Sequence, residues 1–230
     1  MKVFKKVLII VLSVILVAVT GIFALWHNEI ATVASITTII DQDLAHDDGY
    51  TYEMNVSGEY YFDDFLKQGG VSSDEELIQF ITGNITKGVI PMTIQTKEIA
   101  CSSFTAWTED QQFVFGRNYD FDETNTAIVH TNPKGRHASV STIDLQFLGI
   151  DEKNGITGIK EKALLLAAPY IPLDGINDAG VACGIYMTYQ GDPTIPTNQN
   201  TEKPDITSTT LLRLILDYAD NVEEAIELAS

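Results

Sequence analysis

The sequence predicts an α+β fold set behind an apolar N-terminal segment, and three observations carry that expectation. An uncharged run of 20 residues, Val7 to Trp26, follows Lys2, Lys5 and Lys6. From Cys101 onward the pattern breaks into short β-type runs punctuated by turn residues. The chain then finishes on two stretches with helical character, one around Leu211, Leu212, Ile215 and Leu216 and one after Asn221.

The apolar run, at about 1.5 Å per residue, makes a helix about 30 Å long, roughly the thickness of a bilayer core. Only Ser13, Thr20 and Gly21 interrupt it. It is longer than the usual signal-peptide core of about 7–15 residues, and its end, Gly21-Ile22-Phe23-Ala24-Leu25-Trp26, is a poor cleavage site. Residues 1–26 are therefore expected to be a signal anchor, with a cleaved signal peptide as the alternative. The basic flank stays cytoplasmic and everything after Trp26 lies outside. The expected location is the cell membrane, single-pass with an extracytoplasmic domain, or outside the cell if the signal is cut.

Hydrophobic residues make up 45% of the chain, enough to bury a core. The formal net charge is −18. That balance excludes nucleic acid as a natural partner, because phosphates need Lys and Arg. It also disfavours simple adsorption to anionic lipid heads.

Residues 27–100 read as a stalk and a small folded segment. Ala31 to Leu44 suggests a helical stalk, and Thr51 to Phe62 an extended run. Ser73-Asp74-Glu75-Glu76 opens a helix with Ser73 as cap and Glu76 reaching back in a capping box. Leu77, Ile78, Phe80 and Ile81 supply its buried stripe and Gly83 its end. Gly88 to Thr96 reads as extended.

After Cys101, the runs Cys101 to Trp107 and Gln112 to Arg117 flank a four-residue turn and predict a hairpin. Thr126 to Thr131 and Ala138 to Phe147 predict two more strands around an Asn-Pro-Lys-Gly turn. Lys162 to Ala168 suggests a short helix, Gly180 to Tyr189 an apolar strand, and Gly191 to Pro204 a polar loop. The final helix reaches Ser230 with no C-cap, so the region reads as the first half of a larger domain.

The hairpin is where chemistry gathers. It brings Arg117 and Asp120 back beside Cys101. A permanent cation near a thiol favours the reactive thiolate, and a carboxylate near a free amine orients it. Cys183 lies in the apolar stretch Val181-Ala182-Cys183-Gly184-Ile185 and reads as a buried thiol. Two exported cysteines also pair by default, so a non-catalytic tethered module with a Cys101–Cys183 disulfide is a second reading. A His-dependent cysteine peptidase, with His130 or His137 as base, is a third. His27 and His46 lie in the stalk. No His-x-x-x-His or Cys-x-x-Cys pair offers a metal site, and no phosphate-binding glycine motif is present. No metal and no cofactor are expected. Glu223-Glu224 reads as a solvated helix face.

Cys101, Phe115-Gly116-Arg117-Asn118-Tyr119-Asp120 and Asp174-Gly175-Ile176-Asn177-Asp178-Ala179-Gly180 resemble the choloylglycine hydrolase family, which includes bile salt hydrolases and penicillin V acylases. That family is related to the acid ceramidase and N-acylethanolamine amidase group, within the N-terminal-nucleophile (Ntn) hydrolases. The resemblance runs from Cys101 to Ser230. It implies an αββα sandwich, here its N-terminal half, and hydrolysis of linear, non-peptide C–N amide bonds in small N-acyl substrates. A conjugated bile acid, a penicillin-type amide or a fatty N-acyl amine would be such a substrate.

The resemblance also implies roles. Cys101 would be the nucleophile at a new N-terminus, with its own α-amine as base. Asp120 would hold that amine and Arg117 would polarise the site. An oxyanion donor would come from about Tyr186-Met187. Asn177 would either support the site or shape a turn. Bile salt hydrolases carry an Asn where Met187 stands, and two further family positions, an Asn and an Arg, fall past Ser230. In bile salt hydrolases only a starting Met precedes the Cys, whereas here 100 residues do. A free amine therefore needs cleavage between Ala100 and Cys101, as in the acid ceramidase relatives. Residues 27–100 are then an extracytoplasmic pro-segment, removed in the active enzyme, and 101–230 the catalytic domain.

Overall fold

The computed structural model describes residues 2–43, 49–94, 100–120, 124–150, 153–186 and 202–230; the side chains of Lys2, Ala100 and Asp120 are outside that description. The first helix, α1, runs over Lys2–Ser35, with a break in helical geometry at Trp26. Before the break its large apolar side chains are exposed; after it Glu29 and Thr32 are buried against the folded part. The helix thus changes environment where its uncharged run ends. The expected stalk is only partly helical, because Thr37–Ile40 form a strand, β1.

The main sheet has six strands: β1, β2 (Thr51–Asn55), β5 (Thr126–Thr131), β6 (Ser139–Asp144), β7 (Asp174–Asn177) and β8 (Ala182–Gly184), in that spatial order. β2 and β5 run parallel and every other neighbouring pair is antiparallel. β5 alternates half-buried and buried residues along its length, the period of a sheet with two unlike faces. On one face Met54, Val129 and Ile143 pack against α2 (Phe62–Lys67), α3 (Asp74–Asn84) and the segment Leu165–Tyr170. The short helix α4 (Ile159–Leu164) leads into that segment. α5 (Ser208–Tyr218) packs on β7 and β8, and α6 (Val222–Leu228) follows it.

β3 (Ala100–Trp107) and β4 (Phe113–Asp120) form a separate hairpin closed by Thr108, whose hydroxyl and amide meet Gln112. This hairpin approaches the opposite face of the sheet, the face of Val140, Thr142, Asp174 and Ile176. The mixed α+β expectation holds. The run 88–94 forms no strand, and Asp174–Asn177, expected as a turn, is one.

The segment before Cys101 is not a detachable leader. β2 lies inside the sheet between β1 and β5. Met54, Phe62, Phe65 and Ile81 are fully buried in the same core as Val129, Leu165 and Tyr170. Residues 51–94 therefore belong to the fold of the part that follows them. Burying side chains of this size is worth about 1.5–3 kcal/mol each.

Candidate active site

The register of the hairpin explains how the reactive residues meet. Cys101 pairs with Tyr119 and Ser103 with Arg117. Directly paired residues, and those two positions on, share a face, so Cys101, Tyr119 and Arg117 all point the same way, toward the sheet. The Arg117 guanidinium donates from Nη2 to the Cys101 sulfur at 3.1 Å. Gly116 helps on the other face: a side chain there would overlap the Phe104 ring packed across it.

Arg117 is held on several sides. Nη1 donates to the Leu173 carbonyl at 2.6 Å, and Nη2 also reaches the Ile185 carbonyl. Nε faces the Asp174 carboxylate at 3.8 Å. The rings of Tyr119 and Tyr186 lie 4.7 and 4.8 Å from the guanidinium carbon. Gly184 leaves the space the guanidinium occupies, since a Cβ there would overlap Nη1. The side chain is only 3% exposed. A cation this enclosed, with its planar fork spread over two carbonyls and a sulfur, is fixed in one pose.

Asp174 is fixed in turn. Thr142 donates its hydroxyl to Asp174 at 2.6 Å, and the Tyr119 hydroxyl meets the same Thr142 oxygen at 2.6 Å. Burial, with the Asp174 charge nearby, holds the Tyr119 phenol well above its ordinary pKa, so it stays protonated. Beside Arg117, Thr142 and Asp174 lies a cavity of about 440 Å³, walled by Phe113, Phe115, Val140 and Ile176. Its volume falls within the range of small-molecule sites, about 300–1,000 Å³.

The other residues singled out from the sequence separate cleanly. Cys183 pairs with Gly175, on the helix-facing side of the sheet, and packs with Val181, Ile215 and Ala219. Both cysteines are free thiols, and the sheet stands between them. The disulfide-linked module is thereby excluded for this structure. Burial pushes the Cys183 thiol up to about 12, which leaves it protonated and inert at neutral pH.

Asn177 also faces the helices. Its side chain donates to the Ala219 carbonyl at 2.8 Å and accepts from the Val181 amide at 2.9 Å. It ties the β7–β8 turn to the end of α5 and is not brought to Cys101. Tyr186 is at the site, through its ring. Met187 lies outside the described residues. Asp120 ends β4 directly across from Ala100.

Neither histidine serves the sulfur. His130 meets Glu53 at 2.9 Å, and His137 bridges Asp178 and Asp220 at 2.6 and 2.8 Å. That geometry removes the basis for a His-dependent peptidase. Among the described residues no group of His, Cys, Asp and Glu side chains forms a metal site. Sequence reasoning missed Asp174, Thr142 and Gly184. Asp174 heads a motif already noted, but its partner on β6 becomes visible only once the strands are paired.

The model of the choloylglycine hydrolase family, linear amide C–N hydrolases, matches residues 101–230. No curated protein and no solved structure matches the chain. The match opens on Cys101 itself and takes in the hairpin, the Asp174 strand and everything after them, more than half of the chain: this protein belongs to the choloylglycine hydrolase family.

Proposed function

We propose that the protein is made as a proenzyme and that Cys101, freed as an N-terminal residue, hydrolyses the linear amide bond of a small N-acyl substrate. The observation that carries this reading is the Arg117 donor at 3.1 Å from the Cys101 sulfur, on the residue where the family match begins. In maturation the Cys101 sulfur attacks the Ala100 carbonyl. The acyl group moves from nitrogen to sulfur and frees the α-amine, and water cleaves the thioester to leave Ala100 as a carboxylate. Asp120, across the strand pair from Ala100, holds the new amine.

In turnover that amine takes the thiol proton and the sulfur attacks the substrate carbonyl. The proton passes to the leaving amine, and water hydrolyses the thioester to release the acid. Arg117 supplies fixed positive charge at the sulfur. Backbone amides near Tyr186 and Met187 donate to the oxyanion. The apolar walls at Phe113, Phe115, Val140 and Ile176 suit an apolar acyl group. The hairpin facing the sheet supplies the two inner layers of an αββα sandwich.

Cleavage on this reading does not discard what precedes Cys101. β2 and the core residues of 51–94 stay in place, so the mature enzyme is two chains in one fold. α1 is long and apolar enough to cross a membrane, a property that signal sequences near an N-terminus share. We read it as a single-pass anchor with the catalytic domain outside the cell.

N-terminal sequencing and intact mass of active protein test the proposal. A chain beginning at Cys101, absent in Cys101→Ala, is expected. An intact 100–101 bond in protein that hydrolyses an N-acyl amide overturns the N-terminal-nucleophile mechanism.

A further inference from the structure

The second large cavity is far from this chemistry. It measures about 700 Å³ and lies among α1, the segment after α3 and α4. Those elements sit on the helix side of the sheet, away from Cys101. Its α1 wall is one stripe, Ile22, Trp26 and Ile30, spaced four residues apart. The stripe crosses the break at Trp26, where the bilayer-length run ends. Tryptophan favours the level of the lipid headgroups, so the cavity opens at the membrane surface.

Two independent features define what fills it. The polar groups on its wall are already satisfied by the protein. Glu29 pairs with Lys87 at 3.1 Å, Lys162 donates to the Ile36 carbonyl at 2.9 Å, and Thr86 donates to the Ile90 carbonyl at 2.8 Å. The cavity thus asks nothing polar of an occupant. Around it, three separate elements expose large apolar side chains: Ile30 is 44% exposed, Val89 67% and Ile159 73%. Such a rim, continuous with the apolar surface of the membrane-length helix, is what a lipid-facing surface requires.

We propose that this cavity takes an acyl chain of a bilayer phospholipid, and that Val89 and Ile159 seat the domain directly on the membrane. The proposal rests on reading α1 as a membrane span. On this arrangement the domain does not swing on a stalk: α1, the segment after α3 and α4 meet the leaflet together, and the face carrying Cys101 is turned away from the helices that do so.

The full chain in phosphatidylcholine nanodiscs, carrying a phosphatidylcholine with a diazirine near the end of one acyl chain, tests this by photolabelling and peptide mapping. Adducts on residues 85–90 and 159–166, as well as on α1, are expected. Ala163→Trp, which fills the cavity, should lower the first two sets severalfold and leave the α1 set unchanged. The rim pair Val89→Asp with Ile159→Asp, at exposed positions, should do the same without disturbing the fold. Adducts confined to α1 overturn the proposal while leaving the span intact. Absence of adducts on α1 as well overturns the span. Covalent dimers through residues 85–90, or labelling only by a free diazirine fatty amide, also overturn it, in favour of a second copy or a single-chain ligand.

Discussion

At the scale of single residues, the site is organised around Arg117. Its guanidinium touches a sulfur, two carbonyls, a carboxylate and two aromatic rings, and Gly184 makes room for it. Gly184→Ala is therefore expected to push Arg117 out of its pose and lower kcat/KM by about 100-fold, the usual scale for a misplacement of about 1 Å. Circular dichroism should stay unchanged, because only one side chain must move. Activity equal to the parent would show that the Arg117 pose is not needed. The two thiols should also differ in reactivity. Iodoacetamide at pH 8 is expected to alkylate Cys101 and spare Cys183, whose thiol is protonated well beyond that pH. Equal labelling in the folded protein would contradict the burial of Cys183 described above. The nucleophile, Arg117 and Asp120 were legible in the sequence because a hairpin makes their spacing a spatial fact. Asp174, Thr142 and Gly184 were not, since they lie on strands whose neighbours the linear pattern does not name.

At the scale of elements, local signals fixed the ends of helices well. Ser73 caps α3 by accepting from the Glu76 amide at 3.2 Å, as the Ser-x-x-Glu pattern predicts. The Glu76 carboxylate, however, accepts from the Ser72 amide at 2.8 Å, one residue earlier than a capping box would have it. Asn221 caps α6 as expected. A different tie joins elements distant in sequence: His137 bridges Asp178, in the β7–β8 turn, and Asp220, between α5 and α6. Burial pulls its pKa down, but the hydrogen bonds and charges of the two carboxylates together raise it above the ordinary value. A raised histidine pKa means the folded state binds the proton more tightly. The stabilisation is full below about pH 6.5 and is lost as pH rises through the higher folded value. His137→Gln should therefore reduce Tm at pH 6 more than at pH 9. Equal losses at both pH values would show that the bridge contributes no proton-linked stability.

At the scale of the whole molecule, a buried charge network joins the segment before Cys101 to the part after it. Asp217 on α5 accepts from the Tyr60 hydroxyl at 2.6 Å, and from Arg136 and Arg213 at 2.8 and 2.9 Å. Arg213 and Asp217 are both fully buried. Arg213 also donates to Ser139 at 2.6 Å, and Arg136 reaches Glu59. Removing one member leaves buried charge uncompensated, so Asp217→Ala should lower unfolding stability by about 3–5 kcal/mol in urea titration. A loss within experimental error would mean that water repairs the network. Because Glu59, Tyr60 and the β2 strand stand on one side of the proposed cut and Asp217 and β5 on the other, the two chains of matured enzyme should co-elute in size exclusion. Separation of an intact, active 101–230 chain would show that the earlier segment is dispensable.

The apolar run, the hairpin and the family motifs were all determined by the sequence alone, because each is a local pattern: hydropathy over one helix, alternation over two strands, residue types at fixed spacing. What the sequence left open was nonlocal. It presented Cys101 and Cys183 as a plausible pair, and only the strand register put a sheet between them. It presented residues 27–100 as a leader to be shed, and only the parallel pairing of β2 with β5 made residues 51–94 part of the core. Parallel neighbours are set by chain crossings and buried contacts between distant residues, which no short window of sequence contains.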